Sequence, residues 1–133
     1  MSKIRYTVGE HTFLNAQAAT GAGLALDVSN YRHIVVSIGT ASSGNLTVKF
    51  QGSVAKDAPT WGSAQSATNH WDYIQIKDLE DGSSVDGDTG FAVVGTDDVR
   101  LFEVNTNGLR WLNLNVTART AGSVTANGSL FKN

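Results

Sequence analysis

The sequence predicts an all-β fold, an antiparallel β-sandwich of jelly-roll-like form, and three observations carry that reading. Apolar and polar residues alternate with a period of two in eight or more short runs. That period sets one side of a strand on a core and the other toward solvent or a neighbour. Turn-forming clusters part the runs roughly every ten residues. No window carries a helical apolar stripe. The nearest, residues 16–25, is interrupted by Gly21 and Gly23, each costing about 1 kcal/mol in a helix interior.

Taken in order, the first run covers residues 4–8, with a short one at 12–14. Leu24, Leu26 and Val28 alternate, then Ile34, Val36 and Ile38, then Leu46, Val48 and Phe50. Further along come Ile74 and Ile76, Phe91 and Val93, Phe102 and Val104, and Leu112, Leu114 and Val116, before a weaker run at 124–131. Ser42-Ser43-Gly44-Asn45, Glu80-Asp81-Gly82, Asp86-Gly87-Asp88 and Gly95-Thr96-Asp97-Asp98 read as turns. Asn107-Gly108, between apolar runs, is the strongest hairpin signal. Residues 53–69 break the rhythm. This long connection is rich in Ala, Ser, Gln and Thr, and it holds the single proline, Pro59, and Trp61. A connection of that length in a small domain tends to be functional, and its tryptophan needs a surface to bury against.

The 133 residues fit one domain with a real core, running 1–133, with residues 1–10 as an N-terminal arm and 53–69 as a long loop. Hydrophobic residues make up 41% and charged ones 17%. The charged share is below the usual quarter, so the surface is polar without being strongly ionic and is easily desolvated. There is no cysteine, so no disulfide staples the fold. No signal-peptide pattern follows Met1 and no apolar run approaches a membrane span, which predicts folding in the cytosol with no membrane partner. Net charge is −2, without the basic footprint of a nucleic-acid binder.

The charge is uneven. Between Asp72 and Asp98 stand eight acidic residues against Lys77 alone. Such an acidic edge meets a basic surface on another copy or a partner; the plain alternative is a solvated set of loops.

Catalytic and metal-binding patterns are sought and not met, and no enzyme activity or cofactor is expected. His11, His33 and His70 share no ligand-like spacing. The run from Asp78 to Asp88 departs from an EF-hand at its twelfth position, Thr89, where a bidentate carboxylate belongs. It reads as Asx-type turns, with a looser calcium site between β loops as the alternative. There is no phosphate-binding glycine loop and no nucleophile elbow. Trp111 shares a strand face with Asn113, Asn115 and Thr117, while Leu112, Leu114 and Val116 take the other. A tryptophan beside amides fits a protein contact, a sugar platform or a ring covered by the 53–69 loop. Trp71 and Tyr73 share a face in the same way. The candidate partner-binding residues are Arg5 in the arm, Trp61 in the loop, Asp78, Glu80, Asp81, Asp86 and Asp88 in the acidic stretch, and Trp111.

Leu26-Asp27-Val28-Ser29-Asn30-Tyr31 leading to Val35-Val36-Ser37-Ile38-Gly39, Leu46-Thr47-Val48-Lys49-Phe50-Gln51-Gly52-Ser53, Arg100-Leu101-Phe102-Glu103-Val104-Asn105, Arg110-Trp111-Leu112-Asn113-Leu114-Asn115-Val116-Thr117 and Gly122-Ser123-Val124-Thr125 together resemble small structural proteins of tailed bacteriophages. The resemblance lies in texture over most of the chain, with no invariant motif. It implies a capsid decoration (cement) protein: β-rich, non-enzymatic, often a homotrimer, bound to the major capsid protein on the virion surface. A carbohydrate-binding module or tail receptor-binding domain is the alternative.

Overall fold

The computed structural model describes residues 6–132. Among the described residues there is no helix, hence none long and apolar enough to cross a membrane. Ten strands form one antiparallel hydrogen-bonded system: β1 (Tyr6–Gln17), β2 (Gly21–Ala22), β3 (Leu26–Asp27), β4 (His33–Ser53), β5 (Asp72–Tyr73), β6 (Ile76–Asp78), β7 (Ser84–Val85), β8 (Phe91–Val93), β9 (Val99–Asn105) and β10 (Trp111–Lys132).

Two of these strands are far longer than the apolar runs predicted. β4 and β10 pair along almost their whole length, from Trp111↔Ser53 to Ser129↔Val35. Each therefore serves two layers. The first half of β4 pairs with β9, and the second half with β8 and β5. The second half of β10 carries β1, and its first half carries β2 and β3. The ribbon folds over between them, making an antiparallel β-sandwich. The first sheet runs β1-β10-β4-β9; in the second, β2 and β3 flank β10 on one side, and β4, on its other side, carries β5 and β8. The β6–β7 hairpin adds to the first sheet at β9.

The fold-over has a local cause. Ser42 and Ser43 hold φ of 61° and 57°, a region that side chains seldom adopt. The β4–β10 register shifts three times between Val116 and Ser123, the signature of bulges that bend a strand. Gly122, at φ 77°, sits where a Cβ would stand 2.5 Å from the Ala41 carbonyl oxygen. The cluster expected to reverse the chain at 42–45 therefore bends a continuous strand. Asn107-Gly108 does form a turn, closed by Leu109 N–H to Thr106 O at 2.9 Å. It is not a hairpin: its flanking strands lie in different layers, so it carries the chain from one sheet to the other.

The core lies between the layers. Ile34, Val36, Ile38, Phe102, Val104 and Val124 face inward from the first sheet, and Leu46, Val48, Phe50, Phe91, Leu112 and Leu114 from the second. Phe102 joins the layers, its ring centroid 6.0 Å from Phe50 and 5.0 Å from Phe91. Burial of each such side chain contributes about 1.5–3 kcal/mol, and Phe102→Ala would cost about 3–5 kcal/mol. Residues 6–10, expected in an arm, pair with β10 of their own chain. Arg5 lies outside the described residues.

Candidate functional site

Because one face of each strand is buried, the opposite faces make the broad surfaces. Across the first sheet the register lines up Leu101, Ser37, Asn127 and Thr12 in one row, with Val99, Gly39 and Thr125 beside it. Most of this field is neutral and polar, with Thr12 Oγ1 donating to Asn127 Oδ1 at 2.7 Å. Its β9 margin is apolar. Val99 is 69% exposed, Leu101 47% and Leu79 41%, and Leu79 N–H donates to Leu101 O at 3.0 Å. Water-exposed aliphatics grouped beside neutral hydrogen-bonding groups fit a protein contact: an apolar centre with a polar surround. The sequence holds the signal, since Val99 and Leu101 put aliphatics on the face of β9 opposite Phe102 and Val104.

The acidic stretch does not form one acidic edge. Arg100, on β9, gathers three of its carboxylates. Asp78 pairs with the guanidinium and, with Oδ1, accepts the Glu80 N–H at 2.9 Å. Glu80 Oε2 stands 2.9 Å from Nε at an angle outside hydrogen-bond geometry, so that contact is Coulombic, and Asp98 lies at 3.7 Å. The guanidinium also stands 5.9 Å from the Phe91 ring centroid. Burial works to lower the Arg100 pKa, but the Asp78 hydrogen bond and the three carboxylate charges outweigh it and raise it. Asp78 is buried and so is withdrawn from any partner. Asp81 accepts from the Ser83 hydroxyl and N–H, which hold its carboxyl below the usual range. Asp86 accepts from the Asp88 and Thr89 N–H groups. Glu80, Asp81, Asp86 and Asp88 remain exposed. Among the described residues no three His, Asp or Glu side chains are grouped to hold a metal ion.

On the second sheet, Trp111, Asn113, Asn115 and Thr117 do share the outer face, and the long loop folds back over part of it. Trp111 Nε1 donates to Ala55 O at 3.0 Å, and Gln51 Nε2 to Trp61 O at 3.0 Å. Trp61 is thereby buried and Trp111 half-buried; both rings belong to the loop's attachment rather than to a free surface. One side chain ties the loop together. Asn69 Oδ1 accepts the Thr60 N–H at 2.9 Å, and its Nδ2 lies within 3.3 Å of the Thr60, Ser63 and Ala64 carbonyl oxygens. Nothing in the composition of residues 53–69 singled out an asparagine at its end.

A cleft of about 630 Å³ opens between this loop and the end of the sandwich. Its floor is Gly52, Ile74 and Leu109. A Cβ on Gly52 would press on Ile74 and Leu109 at 3.0 and 3.2 Å. Trp71 lines it, fixed by its Nε1 donating to Ser63 O at 3.1 Å and by an edge-to-face contact with Tyr73 at 4.9 Å.

These features define an antiparallel β-sandwich with two broad outer faces, one partly roofed by a tied loop, and a cleft at its end. The same fold occurs in the SPBc2 prophage-derived protein YomS. Its crystal structure matches with a TM-score of 0.72 over 99% of this chain and 98% of that one, at 16% sequence identity. No family model and no curated protein matches the sequence.

Proposed function

We propose that the chain is a structural component of a phage particle: a capsid decoration protein that binds the outer surface of the major capsid lattice and stabilises the head. The observation that carries this reading is the exposed strip Leu79, Val99 and Leu101, bordered on the same face by the small uncharged rows of Ser37, Asn127 and Thr12 and of Gly39 and Thr125. A fold shared with a prophage-derived protein supports it. So does the two-layer antiparallel architecture, since double-sheet jelly rolls are frequent in viral capsid proteins. The chain acts by binding and not by catalysis. As a homotrimer at a three-fold position it touches several capsid subunits at once, so individually weak contacts combine through high effective concentration.

Co-sedimentation with capsids lacking the protein, paired with light scattering, tests this. The expected result is a trimer that saturates the lattice, with Val99→Lys/Leu101→Glu losing at least about tenfold in affinity, the scale of one or two disrupted apolar anchors, while keeping the native circular dichroism spectrum. A chain that never sediments with capsids overturns the proposal.

A further inference from the structure

We propose that the end cleft is a binding site for a neutral saccharide, a property beyond the capsid role and sharing no residue with the Leu79–Val99–Leu101 strip. The chemistry of the lining selects the ligand class. Asp72 Oδ1 accepts from Gln65 Nε2 at 2.8 Å and from the Tyr73 N–H at 2.9 Å. Its Oδ2 is left for a further donor, as is Gln65 Oε1. His70 Nε2 lies 2.5 Å from the Ala67 carbonyl oxygen. A carbonyl only accepts, so this nitrogen donates. The rim is therefore rich in acceptors and calls for a ligand rich in donors.

Among the described residues no lysine or arginine lines the cleft, and Asp72 repels anions, so phosphate, uronate and sialate ligands are disfavoured. The floor is aliphatic, and a fixed indole forms a side. A pyranose matches both halves: its hydroxyls donate in several directions, and its C–H face packs on an aromatic ring. The volume lies within the ~300–1,000 Å³ usual for small-ligand sites. The site is also set in advance. Ser53 Oγ donates to His70 O at 2.5 Å, the Asn69 network holds the loop, and Gln65 is fastened to Asp72, so little ordering is left to oppose binding.

The test is an NMR titration of the full chain with methyl glycosides of glucose, galactose, mannose, N-acetylglucosamine and N-acetylgalactosamine, with n-butylammonium as a cationic probe. At least one glycoside should give saturable shifts at the Trp71 indole N–H and the Gln65 side-chain amide. Asp72→Asn should weaken that binding at least about tenfold, because the two fixed donors keep the new carbonyl oxygen and put an NH₂ where Oδ2 accepted; Trp71→Ala should abolish it. Amide shifts unchanged outside the cleft report that each variant folds. Silence from every glycoside, shifts centred away from the cleft, insensitivity to Asp72→Asn, or a response to n-butylammonium alone would each overturn the proposal. Capsid co-sedimentation is a separate readout, so the two proposals fail independently.

Discussion

Arg100 and Asp78 face each other from adjacent strands, β9 and β6, with the arginine side chain 21% and the aspartate side chain 8% exposed. Removing the cation leaves a nearly buried carboxylate unpaired, which costs more than the pair itself contributes. Arg100→Met should destabilise the fold by about 3 kcal/mol, the low end for a broken buried pair because the arginine side chain is partly exposed. Arg100→Met/Asp78→Asn should recover part of that loss, since no charge is then buried. Urea unfolding of the three proteins measures both differences.

Gly122→Ala tests the fold-over of the ribbon. The substitution places a methyl 2.5 Å from the Ala41 carbonyl oxygen at a φ of 77°. Strain and overlap together should cost on the order of 2–3 kcal/mol, read as a lowered thermal midpoint. Gly95→Ala serves as control. It shares a positive φ of 67° but has open space around its Cβ, and should cost about 1 kcal/mol.

Asn69→Ala should free the loop without unfolding the sandwich. The side chain holds backbone groups of Thr60, Ser63 and Ala64, all within one locally cooperative segment. Hydrogen exchange in residues 54–70 should quicken at least about tenfold, equivalent to a loss of about 1.4 kcal/mol in local stability. Exchange at Ile34, Val36 and Leu114 should stay as it is.

Acid should weaken the fold in part through Asp27. Its carboxyl is held below its ordinary value, chiefly by the Ser29 hydroxyl, then by the Ser29 N–H and Arg110. A depressed folded pKa gives stability that is present above the unfolded value of about 4 and lost as pH falls through the lower folded one. Asp27→Asn should therefore be less stable than the parent at neutral pH, and the gap should close as pH drops below about 4. Denaturant midpoints across that range test it.

Where one face of a strand meets the core, the sequence is a clear guide. Ile34, Val36, Ile38, Leu46, Val48, Phe50, Leu112, Leu114 and Val116 are all buried, as their alternation requires. The outward set Trp111, Asn113, Asn115 and Thr117 follows from the same rule. Leu24 does not obey it: it is exposed because the chain there lies along β1, with Leu24 N–H bonding Phe13 O, and not within the inward ladder. The length of β4 and β10 was hidden because turn-forming residues bend a strand as readily as they reverse it. Ser42 and Ser43 do adopt left-handed conformations, yet the ladder continues past them. Charge counting missed Arg100, which stands two positions beyond the acidic window and reaches back into it. The cleft was illegible because its lining comes from residues as distant as Gly52 and Leu109, brought together only by the crossing of layers.

The outer strand β1 departs from its ladder three times, between Thr7 and Gly9, Thr12 and Leu14, and Leu14 and Gln17, and Leu24 occupies the Phe13 carbonyl on its far side. A lateral border so broken offers no continuous run of main-chain donors and acceptors to a second molecule. Strand addition by a second copy is thus hindered at this border, and a contact made there must go through side chains, where a single substitution can tune it.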